Sequence, residues 1–254
     1  MIVILSPAKK IEKKKLSYTI DTTKPRFMEE AKKLNNRLKE LNPDELASTM
    51  KIGEKLRDDT FLKIHNWSED FNETFPCILG FNGEAFRGLN IESYTKEDLD
   101  YANKSLRILS GLYGVLRPLD LIHSYRLEMG TKLNIDENDN LYSFWDSKIN
   151  NMLIKDIKES DSDILVNLAS NEYSKSAKLK YMDKIKVITP VFKELKNGKY
   201  KIVTVHAKRA RGLMATYIIK NRINTIEELK KFSEEGYKFR EDLSNDQELV
   251  FILE

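Results

Sequence analysis

The sequence predicts an α/β (mixed α+β) protein: one domain over residues 1–254, with a mixed sheet, flanking helices and a candidate helix-hairpin-helix-like element. Three observations predict it. Short apolar runs bounded by turn residues alternate with stretches whose apolar residues recur every three or four positions, the patterns of buried strands and of amphipathic helices. Two β-rich runs flank Asn197-Gly198, which reads as a hairpin turn and so places antiparallel strands in an otherwise parallel sheet. The composition also fits one core. Of 254 residues 41% are hydrophobic and 33% charged, with only 10 glycines and 6 prolines, so long flexible linkers are not expected.

In chain order, Ile2 to Leu5 reads as a buried first strand ending at Ser6-Pro7. Lys10 to Lys24 is basic, patternless and expected at the surface. After Pro25, Phe27, Ala31, Leu34, Leu38 and Leu41 lie at helical steps. Asn42-Pro43-Asp44-Glu45 supplies a cap, a proline at the first helical position and a glutamate at the third; two helices then run to about Trp67, divided near Gly53. Phe75 to Phe81 reads as a buried strand. Thr95 with Asp98 opens a helix, Tyr142 to Ile157 is helical, and Asp163 to Leu168 is a central strand. Ile185 to Leu195 and Tyr200 to His206 form the hairpin. Gly212 to Ile223 is helical, Thr225 with Glu228 caps a further helix, and Leu249 to Leu253 closes the chain as a strand.

The charge balance excludes little and constrains much. With 43 basic and 40 acidic residues the net charge is +3, so a nucleic-acid binder of this composition must gather its cations on one face. One cysteine, Cys77, sits in the apolar run Pro76-Cys77-Ile78-Leu79 and reads as a buried small hydrophobe. His65, His123 and His206 are far apart and no Cys/His spacing suggests zinc, haem or iron–sulfur. No P-loop or dinucleotide fingerprint occurs. The expectations are no cofactor, no metal site, no membrane segment, no signal peptide and a cytoplasmic protein.

Five segments carry the functional side chains. Ser6-Pro7-Ala8-Lys9 follows the first strand, where open α/β sheets place ligand loops. Phe81 to Leu89 contains Asn82-Gly83, Glu84 and Arg87, a turn and a short helix whose free amides suit a phosphate. Ser110-Gly111-Leu112-Tyr113-Gly114 has two glycines spaced for a hairpin between helices that offers amides to DNA phosphate, although Leu106 to Ser110 reads equally well as a strand. Arg117, Tyr125, Arg126, Glu128, Trp145 and Tyr173 mix aromatic and charged character. In His206 to Gly212, Lys208, Arg209 and Arg211 crowd the start of a helix, whose dipole is already positive there, a cost that points to an anionic partner; Lys175, Lys178 and Lys180 extend the patch.

Six motifs occur here in order: Ser-Pro-Ala-Lys, Phe-Asn-Gly-Glu-Ala, Leu-Ser-Gly-Leu-Tyr-Gly-Val-Leu-Arg-Pro-Leu-Asp, Tyr-Arg-Leu-Glu-Met-Gly, Asn-Leu-Ala-Ser-Asn-Glu-Tyr and Lys-Arg-Ala-Arg-Gly. Together they resemble the YaaA family of bacterial peroxide-stress resistance proteins over essentially the whole chain, with Leu109 to Gly130 the most specific block. The resemblance implies a positively charged cleft, a helix-hairpin-helix-like element at Gly111 to Gly114, duplex DNA binding, and a role in limiting peroxide- and iron-dependent DNA damage. Charge and motif position add expected DNA contacts at Lys9, Arg87, Arg117, Arg126, Lys208, Arg209 and Arg211; no protein partner is evident. The alternative is an enzyme acting on a nucleobase in DNA, of glycosylase or lyase type, with Lys9 or Lys208 as nucleophile and Glu84 or Asp120 as acid–base partner. In either reading Lys9, Glu84 and Lys208 are expected to share one cleft.

Overall fold

A computed structural model of the chain describes residues 1–16 and 18–254; Ser17, inside the basic Lys10 to Lys24 segment, lies outside the described residues. Its centre is the first strand, Ile2–Leu5, four aliphatic residues with almost no solvent contact. A strand buried on both faces needs parallel neighbours covered by helices. Leu106–Ser110 pairs parallel on one side of it and Ile164–Leu168 on the other. Beyond Ile164–Leu168 come the long strand Lys186–Lys196 and the closing strand Glu248–Leu253, both parallel. Three short antiparallel strands complete an eight-stranded mixed sheet: Gly114–Leu116 on Leu106–Ser110, Lys199–Lys201 on the long strand and Lys238–Phe239 on the closing strand.

The helix signals hold where capping chemistry is local. Asn42 accepts from the Asp44 and Glu45 amides while Glu45 returns a bond to the Asn42 amide, and Thr95/Asp98 and Thr225/Glu228 form the same reciprocal box. The helices Met28–Lys39, Pro43–Met50 and Glu54–Asn66 follow one another as expected. No helix among the described residues is long and apolar enough to cross a membrane.

Four expectations are corrected. The Phe75 to Phe81 run is not one strand: Phe75–Pro76 and Phe81–Asn82 each pair in small two-stranded sheets around the helical turn Cys77–Gly80. Burial explains the apolar run without requiring extension, and Cys77 within it is fully buried, its thiol bonded to the Arg117 carbonyl at 3.1 Å and pushed up by that burial. The Tyr142 to Ile157 helix is two, Leu141–Trp145 and Lys148–Glu159, broken at Asp146, whose φ is 39°. The helix expected from Gly212 begins at Thr204 and runs to Lys220, so the hairpin's second arm is only Lys199–Lys201 and the basic motif lies within the helix.

The fourth concerns Gly111 to Gly114. Leu106–Ser110 and Gly114–Leu116 form a buried β-hairpin with Ser110 opposite Gly114, not a helix-hairpin-helix. Ladder bonds to the first strand are available to Leu106–Ser110, and a continuous apolar run accepts them. Both glycines serve packing. Gly114 holds a φ of +67°, and a Cβ there would lie 2.7 Å from the Trp145 ring; a Cβ at Gly111 would strike the Leu127 carbonyl. Trp145 closes the same turn by donating its indole N–H to the Gly111 carbonyl at 2.9 Å.

Two further contacts lock the layers. Buried Asp156 accepts from Arg107 Nε at 2.6 Å and from both terminal nitrogens of Arg26 at 2.6 and 3.0 Å, tying helix Lys148–Glu159 to the sheet. Burial alone would raise this carboxyl, but the two guanidiniums hold it below the usual range. On the other side, the short helix Glu84–Leu89 crosses Thr204–Lys220 at two glycines. A Cβ on Gly212 would overlap the Ala85 carbonyl and lie 2.7 Å from the Leu89 amide, and one on Gly88 would overlap the Arg209 carbonyl. Thr216 bonds the Leu89 carbonyl at 2.6 Å across the same crossing. Gly212→Val should therefore destabilise the fold by about 1–3 kcal/mol, a fall in Tm of roughly 2–10 °C for a chain of this length. Thermal denaturation reads it; an unchanged Tm would mean that the two helices do not pack backbone to backbone.

Candidate functional site

The carboxyl ends of the first strand and of Ile164–Leu168 open into a cleft of about 1010 Å³. Parallel neighbours deliver their loops to the same edge of a sheet, so Ser6 and Ser170 meet: the Ser170 amide donates to Ser6 Oγ at 2.8 Å and the two hydroxyls lie 3.2 Å apart. The Ser6–Lys9 loop is then tied to a second wall, because Lys10–Ile11 pairs antiparallel with Phe81–Asn82. Asn82 to Phe86 forms that wall, Tyr125 to Glu128 a third, and Thr189 to Lys193 of the long strand a fourth; Thr204, Ala207, Lys208 and Arg211 of the long helix also line it.

Six cationic side chains line the cleft, Lys9, Lys10, Arg126, Lys193, Lys208 and Arg211, against four carboxylates, Glu84, Glu128, Glu172 and Glu248. The cleft is thus cationic by a modest margin, and its carboxylates are largely engaged. Glu128 reaches Lys9 at 2.7 Å and Arg126 at 3.5 Å, Glu84 pairs outward with Arg87, and Glu172 accepts from the Gly130 amide at 2.9 Å. Two arginines stand out. Arg211 makes no hydrogen bond or ion pair among the described residues, and burial pulls its guanidinium below the ordinary value with no carboxylate to offset it. Arg126 keeps a buried Nε–H without an acceptor among the described residues. Tyr125 and Tyr173 stand buried in the walls, and burial raises both phenols, so they remain neutral donors; Tyr125 is fixed by Ser110 at 2.7 Å.

Of the residues expected from the sequence, Lys9, Glu84, Arg126, Lys208 and Arg211 line this one cleft. The others do not. Arg87 lies outside the lining, paired with Glu84. Arg209 is turned away and grips Glu235 through Nε at 2.9 Å. Helix geometry explains the split, since Lys208 and Arg211 are three apart and share a face while Arg209 does not. Arg117 pairs with buried Asp120 at 2.9 Å and lines a separate depression of about 470 Å³ near the amino ends of the strands, with Arg26, Arg107 and Asp156. Gly111 and Gly114 are inside the fold. Lys175, Lys178 and Lys180 do not line the cleft; Lys178 pairs with Asp146.

The sequence reading missed Lys10, Lys193, Glu248 and Thr204. Lys193 was readable: the long strand alternates buried and less buried positions, and Lys193 lies on its less buried face. Nothing local marks Glu248, which reaches the cleft only because the closing strand pairs with the long strand at Thr189. No residue of Tyr113 to Arg117 lines the cleft, whereas Tyr125 to Glu128 does. Among the described residues no group of three or more His, Cys, Asp or Glu side chains is placed to hold a metal ion.

A family model described as peroxide stress protein YaaA matches residues 1–243. Relatives are similar over their full length. A UPF0246 protein of Clostridium perfringens is 51% identical over 252 residues, 99% of each chain. One from Clostridium botulinum is 48% identical over 256 residues, 100% of each chain, and one from Saccharophagus degradans is 46% identical over 253 residues, covering 99% of this chain and 98% of its own.

The unpartnered state of Arg211 has a stability signature. Arg211 is half-buried and makes no hydrogen bond or ion pair among the described residues, so Arg211→Met removes no tie and should change stability by no more than about 0.5 kcal/mol. Arg209→Met, which breaks a surface pair, should lower stability by no more than about 1 kcal/mol. A strong loss of stability in Arg211→Met would show the guanidinium to be a structural tie.

Proposed function

The chain belongs to the peroxide stress protein YaaA family, and on that premise we propose that it is a cytoplasmic protein that binds DNA under peroxide stress and limits its oxidative, iron-dependent damage. The observation that carries this reading is the excess of cations over carboxylates lining one cleft, in which half-buried Arg211 has no bonded partner among the described residues and Arg126 keeps a buried Nε–H without an acceptor. A buried donor without an acceptor costs free energy, and a phosphate oxygen is the acceptor that guanidinium geometry fits best. The uncapped first turn of Thr204–Lys220 adds free amides and a positive dipole at the same wall. A cleft of about 1010 Å³ has the scale of a nucleotide-sized ligand, not of a duplex. The backbone would therefore run along the rim past exposed Lys10 and Lys208, with one phosphate or nucleotide directed inward.

The shared lining of Lys9, Glu84 and Lys208 favours a second reading, chemistry on a nucleobase or abasic site. Lys9 is 68% exposed and held at 2.7 Å by Glu128. A lysine amine attacking an abasic aldehyde expels water to leave an imine, which borohydride reduces to a stable amine. Trapping on an abasic duplex with the parent, and its loss in Lys9→Arg, would establish this reading; a parent that traps nothing would remove it.

For the binding reading, duplex affinity should fall linearly on a log–log salt plot with a slope of about −0.9 per phosphate neutralised. Arg211→Met should weaken binding by about tenfold, while Arg209→Met binds as the parent does. Fluorescence anisotropy checks both. Salt-insensitive binding, or equal losses in the two variants, would contradict a phosphate grip in the cleft.

A further inference from the structure

The hairpin that ends the long strand has a composition the fold does not use. Its pairing with the closing strand stops at Glu194, opposite Leu253, so the tip from Leu195 to Tyr200 projects beyond the sheet with only Lys199–Lys201 beside it. The register sorts its side chains into two faces. On one face Leu195, 47% exposed, stands opposite Tyr200; just past the paired residues Ile202 is 58% exposed, and Val205 in the first turn of the adjoining helix 55%. On the other face Lys196 stands directly opposite Lys199, and Lys201 opposite Glu194. Like charges facing each other across a ladder destabilise it. Among the described residues the only ion pair made by Lys193, Lys196, Lys199 and Lys201 is Lys196 with Glu194, at 3.8 Å.

An exposed aliphatic face backed by opposed lysines suits a partner that is both anionic and apolar. Two such partners exist, nucleic acid with unstacked bases and an anionic lipid surface. Continuity decides between them. Lys193 and Ile202 belong to the hairpin and also line the cleft, beside Thr204 and Lys208, so a strand whose phosphates lie at the cleft rim brings its bases onto this blade. Tyr200 adds an aromatic ring, oriented by Arg240, which donates to its hydroxyl at 2.9 Å. We propose that this hairpin is a base-contacting blade: Leu195, Tyr200 and Ile202 pack against unstacked bases of single-stranded or locally opened DNA, while Lys196 and Lys199 hold its phosphates. This inference rests on the DNA-binding reading and specifies the form of DNA recognised.

The test compares the full-length parent with two double variants on a single strand, a blunt duplex of the same sequence, and vesicles of phosphatidylcholine with phosphatidylserine. The parent should prefer the single strand. Leu195→Ser/Ile202→Ser should bind the single strand about tenfold more weakly with the salt slope unchanged, since the apolar face meets bases and leaves the phosphates to the lysines. Lys196→Gln/Lys199→Gln should melt at a higher temperature than the parent, by removing the like-charge pair, yet bind the single strand with a slope shallower by about 0.7 for each phosphate no longer neutralised. A purely structural hairpin would not give a more stable variant that binds less. Parent-like binding by both variants would overturn the blade while leaving the cleft reading intact. Salt-sensitive vesicle binding that disappears in the variants, with DNA binding unchanged, would assign the surface to lipid instead. If the parent binds neither DNA at low salt, the DNA reading and the blade fall together.

Discussion

The backbone-to-backbone crossing of two helices at Gly88 and Gly212 is the constraint on which the site depends. Each glycine faces a carbonyl of the partner helix at a separation that admits no side chain. That closeness brings Glu84 to Phe86 and Lys208 to Arg211 into one lining. Any larger residue would push the Thr204–Lys220 helix outward and carry Lys208 and Arg211 away from Lys9 and Arg126. Conformational freedom is not what these glycines supply, since both sit within helices. They supply the missing Cβ.

The second half of the site follows from the parallel core. The first strand lies between Leu106–Ser110 and Ile164–Leu168, all running the same way, so two serine-headed loops emerge side by side and bond to each other. The cleft they floor is neither a bare basic groove nor an apolar pocket. Its carboxylates hold Lys9 and Arg126 in place, as Glu128 does for both, and Arg211 is left half-buried with no bonded partner among the described residues. Preorganised cations of this kind recognise an anion with little reordering, because the conformational cost is met when the protein folds.

The fold class and most elements were legible in the sequence because their causes are local. A run such as Ile2 to Leu5, the reciprocal caps at Asn42, Thr95 and Thr225, and Asn197-Gly198 each act within a few residues. What the sequence left open or misread was decided by distant partners. Leu106–Ser110 is a strand because the first strand, a hundred residues earlier, offers it a ladder, and Gly111 and Gly114 fit Leu127 and Trp145, not solvent. Of the candidate site, the strand-end loops at Ser6, Asn82 and Ser170 could be read from position alone. The division of the Lys208, Arg209 and Arg211 triplet into two inward residues and one outward could have been read as well, had the motif been placed on a helix. Glu248 and Tyr125 to Glu128 reach the cleft through tertiary packing that no local pattern announces.

Hydrogen exchange in the presence and absence of DNA tests the central claim most directly. Binding in the cleft predicts added protection in the Ser6 to Lys10 loop, in Tyr125 to Glu128 and in the first turns of Thr204–Lys220, together and at the same DNA concentration. The Ser110 to Gly114 turn, already buried, should not change. Protection confined to that turn, or to the Arg26, Arg107 and Arg117 depression at the opposite end of the strands, would contradict the account.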